Sequence, residues 1–210
     1  MDKKITQFSE LGEIASNDVF AVVDVSANET KKVNYQNLVN NITGSLPSGL
    51  GGSGLGWARY DDTQYTTSSV YTVTDGAAAV VLPNNSGNTI ISYMNSSVNF
   101  YEGSTRKIQI ENEGDVHTMV VTFKAKTSNS NQTHFDISLS STGATPYDRV
   151  SKSLSFAKGN DTWENFYEVF HFYGDSDFVT NGNQWKVQSS GGNVSIASVI
   201  YFIQRTFNAG

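Results

Sequence analysis

Cysteine is missing from the 210 residues, and with it go disulfide staples, thiolate nucleophiles and every Cys-based metal site. Charge is scarce as well. Only 16% of residues are Asp, Glu, Lys or Arg, and the formal net charge of −6 argues against nucleic acid as a partner, because phosphate binding rests on clustered Lys and Arg that release counterions. No segment approaches the run of about 18 apolar residues that a membrane span requires, and the opening MDKKITQFSELGEIASNDVF lacks the apolar stretch of a secretory signal. These absences predict a chain made in a cytoplasm, with no membrane insertion and stability drawn from packing or oligomerisation.

Catalytic signatures are missing too. No G-x-S-x-G elbow, no G-x-x-x-x-G-K-[ST] loop and no H-E-x-x-H helix occurs, and Gly49-Leu-Gly-Gly-Ser-Gly54 neither follows a clear strand nor opens a helix, as a dinucleotide loop must. Three histidines, His117, His134 and His171, fall in separate predicted strands with no second ligand at metal-binding spacing. His134 and Asp136 would share one strand face, which ordinary solvated side chains also do. Glu164, Glu168, Asp175 and Asp177 lie close enough in sequence to suggest a glycosidase pair, but acidic residues in Gly/Ser/Asn-rich turns ordinarily cap turns or solvate loops. The sequence therefore predicts no enzyme, no metal and no cofactor.

What is present is a β-protein's composition. Hydrophobic residues make up 38% and aromatics 12%, enough for a core in a domain of about 150 residues, which buries roughly 70% of its unfolded surface. Residues 1–43 read as a small first unit. Ile5, Phe8, Leu11 and Ile14 have helix or tight-turn spacing, Val19 to Val25 is a strand, Ser26 to Thr30 supplies turn chemistry, and Lys31 to Asn34 is a second strand that can complete a hairpin. Asn34 then caps a short helical stretch from Tyr35 to Ile42. A unit of about 40 residues is near the size below which domains need metals, disulfides or partners, so a partner is expected. Residues 44–56 contain six glycines and no charge, the composition of a hinge, although glycines also permit a packed loop or a close chain approach.

From Trp57 onward, short alternating segments are separated by turn signals such as Asp75-Gly76, Pro83 to Gly87, Gly159 to Asp161, Asn181-Gly182 and Gly191-Gly192, a pattern that fits seven to ten strands. Val116 to Phe123, Phe135 to Leu139 and Val194 to Ile203 read as strands, the last with Val194, Ile196, Ile200 and Phe202 on one face. Trp163, Phe166, Tyr167 and Phe170 have helical spacing, yet the aromatic richness of residues 163–173 suits a strand buried on both faces, and flanking turn residues favour the strand. Tyr60, Tyr65, Tyr71, Tyr93, Tyr147, Tyr173 and Trp185 flank turns, where aromatics either serve recognition or close the lid of a core. Seven N-x-[ST] sequons, at Asn28, Asn41, Asn84, Asn95, Asn131, Asn160 and Asn193, follow from an Asn/Ser/Thr-rich composition.

The elements Ile5-Thr-Gln-Phe-Ser-Glu-Leu11, Ala15-Ser-Asn-Asp18, Val22-Val-Asp-Val-Ser26, Glu29-Thr-Lys-Lys-Val33 and Asn37-Leu38 together resemble N-terminal attachment modules of tailed-bacteriophage virion structural proteins of fibre, spike or head-decoration type. The resemblance covers about 40 residues, and the remainder is similar to marine phage structural proteins in style alone. It implies a non-enzymatic virion protein, commonly a homotrimer, that grips other capsid or tail proteins through Ile5, Phe8, Leu11, Val22, Val23, Val25 and Leu38 and displays a head to the host surface, a glycan or a protein. The full expectation is a mainly β chain: residues 1–43 an anchor with a β-hairpin and a short helix, 44–56 a glycine-rich hinge, and 57–210 an antiparallel β-sandwich or jelly-roll-like head. The alternative is a carbohydrate-binding β-sandwich module tied to no particle. A glycan depolymerase ranks last, because those of phage fibres usually carry long repeat-rich β-helices that this chain lacks.

Overall fold

The computed structural model describes the backbone of residues 19–24 and 29–34, and both backbone and side chains of residues 55–129, 134–157 and 161–210. The chain divides into two compact units, residues 1–47 and 48–210. In the first, β1 (Val19–Asp24) and β2 (Glu29–Asn34) form an antiparallel hairpin in which Val22 faces Lys31 and Val23 faces Thr30. Glu29 and Thr30 thus belong to the ladder, where the sequence had placed them in the turn. The expected helix over residues 35–42, most of the glycine-rich stretch, and Ile5, Phe8, Leu11, Val25 and Leu38 lie outside the described residues.

The second unit is a β-sandwich of two six-stranded antiparallel sheets. Its strands are β3 (Gly56–Asp61), β4 (Tyr71–Val73), β5 (Val80–Val81), β6 (Asn88–Ile90), β7 (Tyr101–Glu102), β8 (Lys107–Ile108), β9 (Val116–Thr127), β10 (His134–Ser141), β11 (Asp148–Ser155), β12 (Glu164–Tyr173), β13 (Asn183–Ser189) and β14 (Val194–Phe207), with one helix, α1 (Ser176–Asn181), between β12 and β13. One sheet runs β11-β10-β13-β8-β7 with β5 added to β13, and the other β12-β9-β14-β3-β6 with β4 added to β14. The twelve strands described in this unit exceed the seven to ten expected, because several are pieces of two or three residues that sequence alternation cannot register.

Alternation builds the core. On β9 the residues His117, Met119, Val121, Phe123 and Ala125 point inward, and on β10 Phe135, Ile137 and Leu139 meet them. Phe123, Phe135, Phe156 and Phe166 pack at ring-centroid distances of 5.2 to 6.0 Å, mostly edge-to-face or offset, the arrangements that aromatic quadrupoles favour. Tyr60 and Trp185 are core residues rather than turn-flanking ones: both are buried, and the Trp185 indole N–H donates to Met119 Sδ at 3.1 Å. Gly56, assigned to the hinge by sequence, is the first residue of β3, where a Cβ would lie 2.4 Å from the Tyr93 carbonyl oxygen. Close approach explains that glycine.

Two other strands depart from expectation. In β12 Phe166, Phe170 and Phe172 face inward, with the mostly covered Glu168 between them, while Tyr167, Val169 and Tyr173 are exposed, so this edge strand is buried on one face and not both. In β14 the ladder to β9 shifts register between Ala197 and Ile200 at Ser198, whose φ is +55°. The bulge inverts the phase. Val194 and Ile196 point inward before it and Val199, Tyr201 and Ile203 after it, so Ile200 and Phe202 lie on the outer face, opposite to the single face expected. The segment 174–182, read as two turns, holds α1. Asp175 caps its N-terminus by accepting from the Phe178 N–H at 2.9 Å, and Gly182, at φ +70°, ends it.

Asn84 is buried and bridges the β14 sheet: its Nδ2 donates to the carbonyls of Tyr60 at 3.0 Å and Val199 at 3.3 Å, and its Oδ1 accepts from the Ser86 N–H at 2.8 Å. Asn84→Ala strands these groups, so chemical denaturation should show a loss of about 2 to 4 kcal/mol. A loss under about 0.5 kcal/mol would show that water or relaxation replaces the bridge.

Candidate functional site

The first candidate is a trough on the outer face of the β10 sheet. Pairing places Asp136 of β10 beside Ser153 of β11 and Gln188 of β13, Ser138 beside Ser151 and Lys186, and Ser140 beside Asp148 and Gln184. Wherever outward positions carry serine, the sheet's outer surface sinks, and longer side chains on either side form the rim. The result is a cavity of about 510 Å³ lined by Ser138, Ser140, Ser151, Ser153, Asp136 and Lys186 among others, within the range of about 300 to 1,000 Å³ usual for small-molecule sites.

Its polar groups are partly engaged. Ser153 donates to Asp136, and Ser140 Oγ donates to Asp148 Oδ1 at 2.5 Å. Ser138 and Ser140 hydroxyls lie 3.3 Å apart. A carboxylate accepts about four hydrogen bonds, so both aspartates keep acceptor capacity toward the trough. Lys186, partly buried at its centre, has no carboxylate partner among the described residues, whereas Lys152, opposite the inward Ile137, lies on the other face and pairs with Glu168 of β12.

At the neighbouring edge, Arg149 of β11 is held on all sides. It makes a two-pronged contact to Asp175 at 2.6 and 2.7 Å, reaches Asp177 at 3.0 Å and donates to Asn183 Oδ1 at 3.0 Å, with the Tyr147 and Phe178 rings 5.0 Å away. Asp175 and Asp177 are thus joined at one cation that pins α1 to β11. Arg149 holds the Asp175 carboxyl down at about 2, which keeps it ionised and unlike a glycosidase acid. Glu164 and Glu168 do not join them: Glu164 accepts from the Ala157 N–H at 2.9 Å.

The histidines do not converge in one cluster. His134 and Asp136 share the exposed face of β10, His171 Nδ1 lies 2.9 Å from Thr118 Oγ1, and His117 is buried. Among the described residues no group of three or more His, Asp or Glu forms a metal cluster. Of the seven turn-flanking aromatics, Tyr93, Tyr147 and Tyr173 are exposed, and Tyr65 packs edge-on against Tyr71.

The outer face of the β14 sheet offers the contrasting surface. One row crosses all five strands of the sheet's main path, with Val169 opposite Val120, Val120 opposite Phe202, Phe202 opposite Arg59 and Arg59 opposite Ile90. Tyr93 stacks on Trp57 and Trp57 on Phe202, at 4.9 and 5.3 Å. Outward positions on a solvated sheet are ordinarily polar, yet Val169 is 45% exposed and Ile90 42%.

No family model matches the chain, and no curated protein matches it in sequence. Solved structures similar to it include three of different kinds. Eiger TNF from S. frugiperda is 11% identical, with 72% of this chain and 92% of that one covered and a TM-score of 0.46. The PRD1 vertex protein P5 is 10% identical, with 74% and 99% covered and a TM-score of 0.40. A CBM4 structure is 14% identical, with 71% and 89% covered and a TM-score of 0.31.

Neither the trough nor the β14-sheet band was found from sequence. The trough did leave a signal, the serines at every second position of Ser138, Ser140 and Ser151, Ser153. Of the attachment residues named from sequence, Val22 and Val23 lie in β1.

Titration supplies a test of the packing. Burial pushes the His117 imidazole down to about 4 from an ordinary 6.5, so it stays neutral in the fold and gains a proton on unfolding. Stability contributed by this group is complete above about pH 6.5 and falls as pH drops from there to about 4. Asp175, and Glu111 through its bond from Ser97 and then Arg205, are both lowered to about 2, and their contribution is lost below the unfolded carboxylate range, as pH falls from about 4.5 to about 2. Neither His117 nitrogen has a hydrogen-bond partner, and its ring stacks on Phe172 at 5.7 Å. His117→Phe should therefore remove the upper limb of the acid loss and keep the lower one, read as unfolding midpoints between pH 7 and pH 3.

Proposed function

We propose that this chain is a non-enzymatic bacteriophage virion protein, of fibre, spike or capsid-decoration type, whose first unit attaches to the particle and whose β-sandwich faces the environment. The observation that carries the reading is the order of parts: a small hairpin unit ending at residue 47, then a separate sandwich over 48–210. The first unit carries the spaced elements that resemble attachment modules, with Val22 and Val23 on β1. The state of the carboxylates supports a non-catalytic role, since Asp175 and Asp177 are bound to Arg149 and Glu168 to Lys152.

Immunogold labelling of purified particles with antibody to the sandwich, on phage whose genome encodes the chain, should decorate the particle surface. Full-length protein carrying Val22→Asp and Val23→Asp should sediment free of particles, and sandwich labelling absent from particles would end the reading.

The head acts as a homotrimer of this chain, joined in part through the apolar row from Val169 to Ile90. Val169, Val120, Phe202 and Ile90 make the row largely apolar, broken at Arg59, which pairs with Asp61, and exposed apolar rows favour association; a multimeric head gives its anchors avidity of about 10² to 10⁴ over one anchor. Light scattering of the full chain should give three times the monomer mass, and Val169→Lys with Phe202→Lys should reduce it toward one. A monomer in the unsubstituted chain favours the second reading, a carbohydrate-binding sandwich tied to no particle, for which the hydroxyl-lined trough is the supporting observation.

A further inference from the structure

We propose that the serine-floored trough on the β10 sheet is a binding site for a neutral oligosaccharide, whose hydroxyls accept hydrogen bonds from Ser138, Ser151 and Lys186 and donate to Asp136 and Asp148. This deepens the display reading by naming what the head recognises, and it stands on a different part of the chain from the anchor.

Shape and chemistry both point this way. From Asp136 to Ser140 the floor extends about 14 Å along β10, at about 3.4 Å per residue, so the site is elongated. Its wall carries one small apolar residue, Ala79, and no aromatic ring, which gives an apolar ligand nothing to bury against. Two carboxylates, Asp136 and Asp148, face the same space as the single ammonium of Lys186, so an anionic ligand meets more repulsion than attraction. A peptide adding as a strand needs a free sheet edge, which here lies along the far side of β11, whereas the trough lies on the sheet's face above β10, itself paired on both sides.

A polyhydroxyl ligand meets none of these objections. Each sugar hydroxyl donates one hydrogen bond and accepts others. The trough offers both kinds: serine hydroxyls do both, the aspartates accept, and Lys186 and Gln188 donate. Lys186 and Ser151 have no hydrogen-bond partner recorded among the described residues, so the row Ser151, Ser138, Lys186 holds unspent donors in the centre of the cavity. These groups are also positioned at no cost to the ligand, because backbone ladders on a three-strand platform fix their spacing.

The test uses the full-length chain on a printed array of neutral and acidic oligosaccharides, followed by calorimetric titration with the best-bound glycan and, separately, with inorganic phosphate. Two variants alter the trough: Ser138→Tyr fills it from an outward strand position where an aromatic is well tolerated, and Lys186→Met removes the ammonium while keeping the stem. Binding of neutral glycans by the unsubstituted chain, abolished by Ser138→Tyr and weakened about ten-fold or more by Lys186→Met with unfolding midpoints unchanged, is the expected result. Glycan binding that survives both variants places the site elsewhere and overturns the proposal. Binding confined to acidic glycans or phosphate overturns the ligand class. A chain that labels particles yet binds nothing on the array overturns the trough and leaves the display reading intact, whereas glycan binding by a chain absent from particles does the reverse.

Discussion

The bulge at Ser198 is the constraint around which the sandwich is arranged. β14 is the strand that β9, β3 and β4 all join, and a regular alternation through its whole length would turn Val199, Tyr201, Ile203 and Arg205 to solvent. One residue in left-handed backbone conformation prevents this, at a strain of about 1 to 2 kcal/mol for a residue with a Cβ. Its surroundings hold it there. The Ser198 N–H donates to the Tyr65 carbonyl at 2.9 Å, and the Val199 carbonyl accepts from the Asp62 N–H at 2.8 Å as well as from Asn84. Asp62 in turn accepts from the backbone of Tyr65 and Asn85. Two loops distant in sequence are therefore shaped around one irregular residue, and the outward Ile200 and Phe202 of the apolar band follow from the same phase change.

Several polar groups inside the sandwich sit where strands end and are answered there, although the His117 ring is not. Arg205 is fully buried after the last inward aliphatic of β14, and it contacts Glu111 Oε2 at 2.5 Å and Asp115 Oδ2 at 3.3 Å. Asp115 also accepts from the Ala209 and Asn112 N–H groups. The buried tyrosines follow the same rule: the Tyr60 hydroxyl donates to Asn99 Oδ1 at 2.5 Å and that of Tyr101 to the Asn84 carbonyl at 2.7 Å. Removing one partner of such a set costs more than the set contributes, so these groups specify which loop lies where more than they add stability.

Regular alternation made the β character legible, and β10 was read from Phe135, Ile137 and Leu139 alone. What escaped had no periodic trace. The six residues of α1 are fewer than two helical turns and could be read only from the caps Asp175 and Gly182. The phase of β14 was misread because a bulge leaves no mark beyond the small pair Ala197-Ser198. Strand β12 reads as buried on both faces because Tyr167 and Val169 look like core residues, and an exposed apolar band is invisible to a rule that sends apolar side chains inward. The trough needed the register of three strands, two of them neighbours in a hairpin and the third beyond another strand and a helix, which no local pattern encodes.

Along β10 the duties of neighbouring residues differ. Phe135, Ile137 and Leu139 hold the two sheets together, while Asp136, Ser138 and Ser140, on the opposite face, contribute little to that packing. Substitutions at the second set change the lining of a cavity whose backbone is fixed by the first. A lineage under pressure from changing surfaces can therefore diversify the outer positions of this hairpin, such as Asp136, Ser138, Ser151 and Ser153, with little risk to the fold.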